Sequence, residues 1–240
     1  MDRYIIAFGG GELKEKTTLK MDEYIANLAK KHAGDKRARG LFIGTASHDS
    51  MPYFNSFRKT YTSVFDIKAD CVLCVYGEMN AEKIAEKFTL CDFIYVGGGD
   101  TVYMIEKWKE LGIDKLVREA YERGVIIAGL SAGAICWFSD MYTDSPSVTG
   151  EESYALYPAL SYLDGVCCPH FELREKDYFE ALKASGKSYE PIYGIEGDAG
   201  LVFKNEKLLG SLSSGGKAYA LRINGDKEEK FEISPIKENE

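Results

Sequence analysis

Gly124-Val-Ile-Ile-Ala-Gly-Leu-Ser-Ala-Gly-Ala-Ile-Cys-Trp-Phe138 decides how this chain is read. Its opening, Val125 to Ala128, is a short apolar run rich in β-branched residues, the pattern of a strand buried on both faces of a parallel sheet. The run breaks at Gly129-Leu130-Ser131-Ala132-Gly133 and resumes as small and apolar residues of helical character. Strand, tight turn with Ser between two glycines, helix: this is the G-x-S-x-G nucleophile elbow. Such a turn brings backbone segments together where a Cβ would clash, and it lifts the Ser131 hydroxyl out of the sheet. It also sets Ser131 at a helix N-terminus, where free N–H groups meet developing negative charge.

Working outward, other strands end in similar loops. Arg3 to Phe8 reads as strand one and runs into Gly9-Gly10-Gly11, with a helix after it carrying Met21, Ile25, Leu28, Ala29 and His32. Gly40 to Gly44 is strand two, followed by the polar loop Thr45 to Ser50 and an aromatic-bearing helix to about Val64. Cys71 to Tyr76 reads as strand three and Ala81 to Phe88 as a helix. Asp92 to Val96 is strand four, running into Gly97-Gly98-Gly99-Asp100-Thr101. The helix after it carries Val102, Ile105, Trp108, Leu116, Val117 and Ala120, and the strand before Ser131 follows.

Strands alternating with helices imply a mostly parallel sheet with right-handed crossovers, an α/β fold. Ligands of such sheets sit at the carboxyl ends of the strands. Gly9–Gly11, Thr45–Asp49, Gly97–Thr101 and Ser131 all follow strands and are expected to converge at one edge. Beyond Phe138 the pattern changes. Asp140 to Tyr157 is polar and reads as an excursion. Leu163 to Cys168 is a strand ending at Pro169-His170-Phe171, and a charged helix ends at Ala181 to Ser185. Ile192–Ile195, Gly200–Phe203 and Ala218–Arg222 are short strands with close turn signals, suggesting hairpins. With no linker and no repeat, residues 1–240 read as one domain with a frayed tail at 235–240.

Composition narrows the function. A net charge of -8 argues against nucleic acid as a partner, since phosphate binding needs a basic face. No apolar run is long enough to span a membrane, and the N-terminus lacks the pattern of a signal peptide, so a cytoplasmic location is expected. Most of the six cysteines lie in apolar runs and read as small buried hydrophobes. Strand alternation sends Cys71 and Cys74 to opposite faces, which speaks against a metal pair.

A Ser nucleophile needs a base, an orienting acid and an oxyanion hole. Among only three histidines, His32 belongs to a helix end and His48 is placed for substrate contact. His170, at a strand end behind a backbone-fixing Pro169, is the candidate base. Glu196 and Asp198 follow a neighbouring strand, whereas Asp140 and Asp144 would give the Ser, acid, His chain order of α/β-hydrolases. Order alone leaves the acid open. Oxyanion donors are expected from the Ala132 N–H and from the loop at Gly98 and Gly99.

Taken together, Gly-Leu-Ser131-Ala-Gly-Ala, Val-Gly97-Gly-Gly-Asp-Thr101 and Pro-His170-Phe resemble the peptidase E family, the α-aspartyl dipeptidases, to which cyanophycinase is related. The resemblance runs from about Arg3 to Phe203. It implies a class I glutamine-amidotransferase-like fold and a serine peptidase that cleaves small peptides, including dipeptides with N-terminal Asp, as a monomer or homodimer without cofactor or metal. A cyanophycinase-like isopeptidase, an esterase and an inactive small-ligand binding protein are the alternatives. It carries over Ser131 as nucleophile and His170 as base. The family's acid segment corresponds to Gly194-Ile-Glu196-Gly197, one residue shorter here, which favours Glu196 with Asp198 in reserve. Asp100 stands where the family commonly has Asn, beside Thr101 at the substrate edge. The family grips substrate aspartate with an Arg after the His, and Arg174 is the only Arg between His170 and Glu196.

Overall fold

The computed structural model describes residues 1–76, 79–145, 154–225 and 227–237. Its first half alternates strand and helix: β1 (Tyr4–Phe8), α1 (Leu19–Ala33), β2 (Arg39–Ile43), α2 (Met51–Ser63), β3 (Lys68–Val72), α3 (Ala81–Leu90), β4 (Phe93–Val96), α4 (Thr101–Leu111), α5 (Ile113–Glu122) and β5 (Ile126–Leu130). The second half continues with α6 (Ala132–Ile135), β6 (Phe138–Thr143), β7 (Ala155–Pro158), β8 (Leu163–Pro169), α7 (Phe171–Ala184), β9 (Ile192–Ile195), β10 (Ala199–Lys204), β11 (Lys207–Ser213), β12 (Ala218–Asn224) and β13 (Lys227–Glu232). Strands β1, β5, β4, β2 and β3 lie side by side and parallel, and β10 and β11 extend the β1 edge antiparallel. A second sheet has the order β13-β12-β9-β8-β6-β7, with β6, β8 and β9 parallel.

Strand alternation sorts the core onto two faces of the first sheet. Ile5, Ala7, Ile94, Val96 and Ile127 face α3, α4 and α5 and meet Phe138 and Tyr193 of the second sheet. Tyr4, Ile6, Phe8, Tyr95, Ile126 and Ala128 face the other way, under α1 through Met21, Ile25 and Ala29 and under α2 through Phe57 and Tyr61. Phe57 is fully buried, with ring centroids 4.6 Å from Tyr61 and 5.2 Å from Phe42. Its truncation to Ala would cost about 3–5 kcal/mol. The edge at the carboxyl ends of β1, β2, β4 and β5 is thereby held rigidly from both sides.

The mostly parallel sheet with hairpins among the later strands is as expected, and those hairpins make both sheets mixed. Several other expectations are corrected. The helix after Thr101 is two helices: Gly112, at φ 72°, ψ 16°, ends α4 with its N–H on Trp108 O, and α5 restarts at Ile113. The third strand is Lys68–Val72 rather than Cys71–Tyr76, because its register with β2 begins at Arg39 opposite Lys68. The N–H groups of Val75 and Tyr76 turn instead to the Asp49 carboxylate. The polar excursion after Phe138 begins and ends as strand, with Asp140 opposite Pro158 and Thr143 opposite Ala155; residues 146–153 of that stretch lie outside the described residues. The segment Ile192–Ile195 is no hairpin arm but an inner strand between β8 and β12. Pro235 bridges to Ser211 and the Ile236 N–H bonds Ser211 O, so the tail is tied at least that far; residues 238–240 lie outside the described residues.

Candidate active site

The end of β1 joins the two halves of the site. The Phe8 carbonyl accepts the Ser131 N–H at 2.9 Å, and the next carbonyl, of Gly9, accepts the His170 N–H at 3.0 Å. Consecutive peptide groups, at the end of β1 and just after it, therefore fix both residues. Ser131 has φ 53° and ψ -109°, a conformation that costs a residue with a Cβ about 1–3 kcal/mol. The neighbours enforce it: a Cβ on Gly129 would collide with the Gly133 carbonyl, and one on Gly133 with the Val96 carbonyl. Only glycines let β4, β5 and α6 approach this closely. The helix beyond Ser131 is a single turn before β6 begins, shorter than the sequence suggests.

His170 enters from the second sheet. It follows β8, whose Pro169 lies opposite Ile195 of β9, and takes a left-handed turn (φ 49°, ψ 42°) before α7. That turn brings Nε2 to 3.0 Å from Ser131 Oγ. Gly10 lies against the other side of the ring, where a Cβ would sit 2.6 Å from both Cε1 and Nδ1. Burial, and then the nearby Arg174 guanidinium, lower the His170 pKa, while the carboxylates of Glu172 and Asp144 oppose them. The imidazole is neutral at neutral pH, and with its proton on Nδ1 it can accept the Ser131 proton.

The expected acids do not meet this ring. Glu196 lies one residue beyond the β8–β9 pairing that places His170, but its carboxylate accepts the Lys217 N–H at 2.9 Å and the Tyr219 hydroxyl at 3.0 Å. It ties β9 to β12, and no hydrogen bond joins it to His170 among the described residues. Asp198 accepts the Thr17 hydroxyl at 2.6 Å, fastening the loop after β1. Asp140 lies 3.6 Å from Lys187 Nζ. The sequence reading missed Glu172, whose Oε2 accepts the Gly197 N–H at 3.0 Å. Its position two residues after His170, in the first turn of α7, is the only sequence signal for it.

The other expected residues divide. Ideal Cβ geometry at Gly98 falls 3.3 Å from Ser131 Cβ, so the triple-glycine loop does flank the nucleophile. The Gly98 N–H, however, goes to the Tyr53 hydroxyl at 3.3 Å. Tyr53, carried by α2, is a site residue that no motif signalled; burial pushes its pKa up to about 12, so it stays a neutral phenol. Gly99, at φ 139°, passes so close to the Ala46 backbone that any side chain would collide with it. Asp100 caps α4 by accepting the Tyr103 N–H and donates its own N–H to Ala46 O. Thr101 is buried, with Thr143 Oγ1 at 3.5 Å, so it builds the loop rather than facing the site. His48, left-handed at φ 51°, packs its ring 4.5 Å from that of Tyr103. Arg174 lies one helical turn after His170, with a side chain only 10 % exposed, stacked 4.5 Å over Tyr154 and 3.6 Å from Asp144. Among the described residues no cluster of three or more His, Cys, Asp or Glu could hold a metal ion, and no helix is long and apolar enough to cross a membrane.

Known proteins resemble this chain in sequence and share its fold. The model of peptidase family S51 matches residues 5–210. An uncharacterized peptidase of Bacillus subtilis (strain 168), YgaJ, is 36 % identical over 243 residues, covering 98 % of each chain. The uncharacterized peptidase Lin0382 of Listeria innocua is 29 % identical over 149 residues, or 56 % of this chain and 66 % of that protein. The crystal structure of a peptidase from an acI-B1 actinobacterium superposes with a TM-score of 0.69 at 16 % identity, covering 96 % of this chain and 98 % of the other, and so shares the fold.

Proposed function

The chain belongs to peptidase family S51, and from that premise we propose that it is a serine peptidase of small peptides in which Ser131 and His170 carry the covalent chemistry. The observation that carries this reading is the 3.0 Å contact between Ser131 Oγ and His170 Nε2, made by two residues of positive φ tethered to consecutive carbonyls, of Phe8 at the end of β1 and of Gly9 just after it. Ser131 attacks the scissile carbonyl as His170 takes its proton. The tetrahedral intermediate collapses as His170 hands that proton to the leaving amine, and water then hydrolyses the acyl-enzyme by the same route. The Ala132 N–H, directly after the nucleophile, and the Gly99 N–H on the flanking loop are the oxyanion donors. Contact with Gly10 and the Gly9 carbonyl orients the imidazole; the charges of Glu172 and Asp144 favour its protonated form during the reaction.

Arg174 gives the substrate preference. A nearly buried guanidinium one turn from the base suits a carboxylate on the acyl side of the scissile bond, that is, an N-terminal Asp. A neutral side chain there would leave the cation without that partner and lower kcat/KM by about ten- to a hundredfold. The test compares Asp-Leu, Asn-Leu and Ala-Leu hydrolysis by wild type, Ser131→Ala and Arg174→Ala. Turnover lost in Ser131→Ala, and an Asp preference lost in Arg174→Ala, are expected. Wild-type rates in Ser131→Ala would reject the nucleophile, and equal rates on all three peptides with wild type would reject the acidic preference.

A further inference from the structure

The surroundings of Arg174 carry a further step, which rests on the reading that this residue receives the substrate carboxylate. Its Nε is buried without a hydrogen-bond partner among the described residues. Among the described residues the one carboxylate in ion-pair range, Asp144 just past the end of β6, stands 3.6 Å from its terminal nitrogen, too far for a hydrogen bond, and is itself 50 % exposed. The guanidinium carbon lies over the Tyr154 ring, 4.5 Å from its centroid. The cation is thus positioned by packing on Tyr154, and its Nε–H is left without a partner among the described residues.

We infer that Asp144 is a resident stand-in for the substrate carboxylate, occupying Arg174 loosely in the free enzyme and yielding it to an acidic substrate. The exchange favours the incoming group on geometry. A bidentate carboxylate makes two bonds of about 2.7–2.9 Å to the guanidinium edge, one of them to a nitrogen like Nε that now has none. Asp144, half in water, loses little on release. The swap also conserves charge: one carboxylate replaces another beside Arg174, so the field that Arg174 imposes on His170 stays partly neutralised when an acidic substrate is bound. A neutral substrate cannot make the exchange. It leaves Asp144 on Arg174, so the competition falls on anionic ligands, and Asp144 sets how tightly an acidic substrate binds.

Competition of this kind scales the apparent affinity by the fraction of enzyme whose Arg174 is free. Removing Asp144 should therefore tighten binding of anionic ligands, with KM for Asp-Leu falling about three- to tenfold and kcat changing less. The experiment measures kcat and KM for Asp-Leu in wild type, Asp144→Asn and Asp144→Ala, with succinate as a non-hydrolysed competing dianion. Thermal melts of each variant separate misfolding from lost competition. The inference predicts a lower KM for Asp-Leu and a lower inhibition constant for succinate in both variants. Arg174-dependent Asp preference in wild type, together with an unchanged or raised KM in both Asp144 variants, would overturn this inference alone and make Asp144 a residue that positions Arg174. Wild type without any Asp preference, or with one indifferent to Arg174→Ala, would overturn the reading beneath it as well.

Discussion

Replacing Ser131 by Gly should yield a more stable protein than replacing it by Ala. Both variants lose the same hydroxyl and the same 3.0 Å contact with His170, so that loss cancels in the comparison. What differs is the Cβ. At φ 53°, ψ -109° a Cβ costs about 1–3 kcal/mol, and Ala keeps that cost whereas Gly does not. Gly loses about 0.5–1 kcal/mol of extra backbone entropy on folding. The difference leaves Gly ahead by up to about 2.5 kcal/mol, or a melting temperature higher by up to roughly 10 °C for a chain of this length. In most positions the order is reversed, with Ala the more stable of the two, so the sign alone is informative. Scanning calorimetry of the two variants under identical conditions reads it directly. A Ser131→Ala protein that melts at or above Ser131→Gly would refute the claim that the elbow stores strain at the nucleophile.

Three further outcomes follow from the same geometry. Because burial and Arg174 lower the His170 pKa, the acidic limb of the kcat/KM profile should have its midpoint below the ordinary 6.5, and Arg174→Ala should move it upward; a midpoint that stays put in that variant contradicts the electrostatic account. Asp22, buried on the hydroxyls of Thr18 and Tyr61, has its pKa raised by burial from 3.8 to about 6. A raised carboxyl contributes stability that is complete below 3.8 and is lost as pH rises through about 6, a difference of roughly 3 kcal/mol, so Asp22→Asn should flatten the fall in melting temperature between pH 4 and 7; identical slopes in both proteins would discount Asp22. Glu196→Gln removes charge from a group that binds Lys217 and Tyr219 rather than His170, so kcat should stay within about tenfold of wild type; a hundredfold loss would mean that this carboxylate reaches the imidazole during turnover.

Much of this was legible in the sequence for a physical reason. Glycines at 129 and 133 are required by backbone approach, and a buried parallel strand leaves a continuous apolar run, so Val125 to Gly133 announces the elbow and its sheet. The convergence of the loops after β1, β2, β4 and β5 follows from parallel topology alone. The second sheet was less legible. Strands β6 and β7 carry polar residues such as Asp140 because one side of their pairing is open to solvent, and that pattern resembles a loop. Gly112 lies inside a helical periodicity that continues on both sides, and only its left-handed conformation separates α4 from α5. The direction of a side chain at a strand end is less legible still. Glu196 stands within one residue of the right register, yet the Tyr219 hydroxyl and the Lys217 N–H, contributed by and next to β12, draw its carboxylate away from the base. Tyr53 and Glu172 act through tertiary contacts with Gly98 and Gly197 that no local spacing encodes.

The central claim is that Ser131 is a nucleophile activated by His170, and a covalent probe tests it most directly. Wild-type protein treated with a fluorophosphonate should gain one phosphonyl group, with loss of fluoride, on the peptide containing Gly129 to Gly133. The adduct should be absent in Ser131→Ala and strongly slowed in His170→Ala. An active enzyme that takes no label, or takes it on another serine while Ser131→Ala still turns over peptide, would contradict the account.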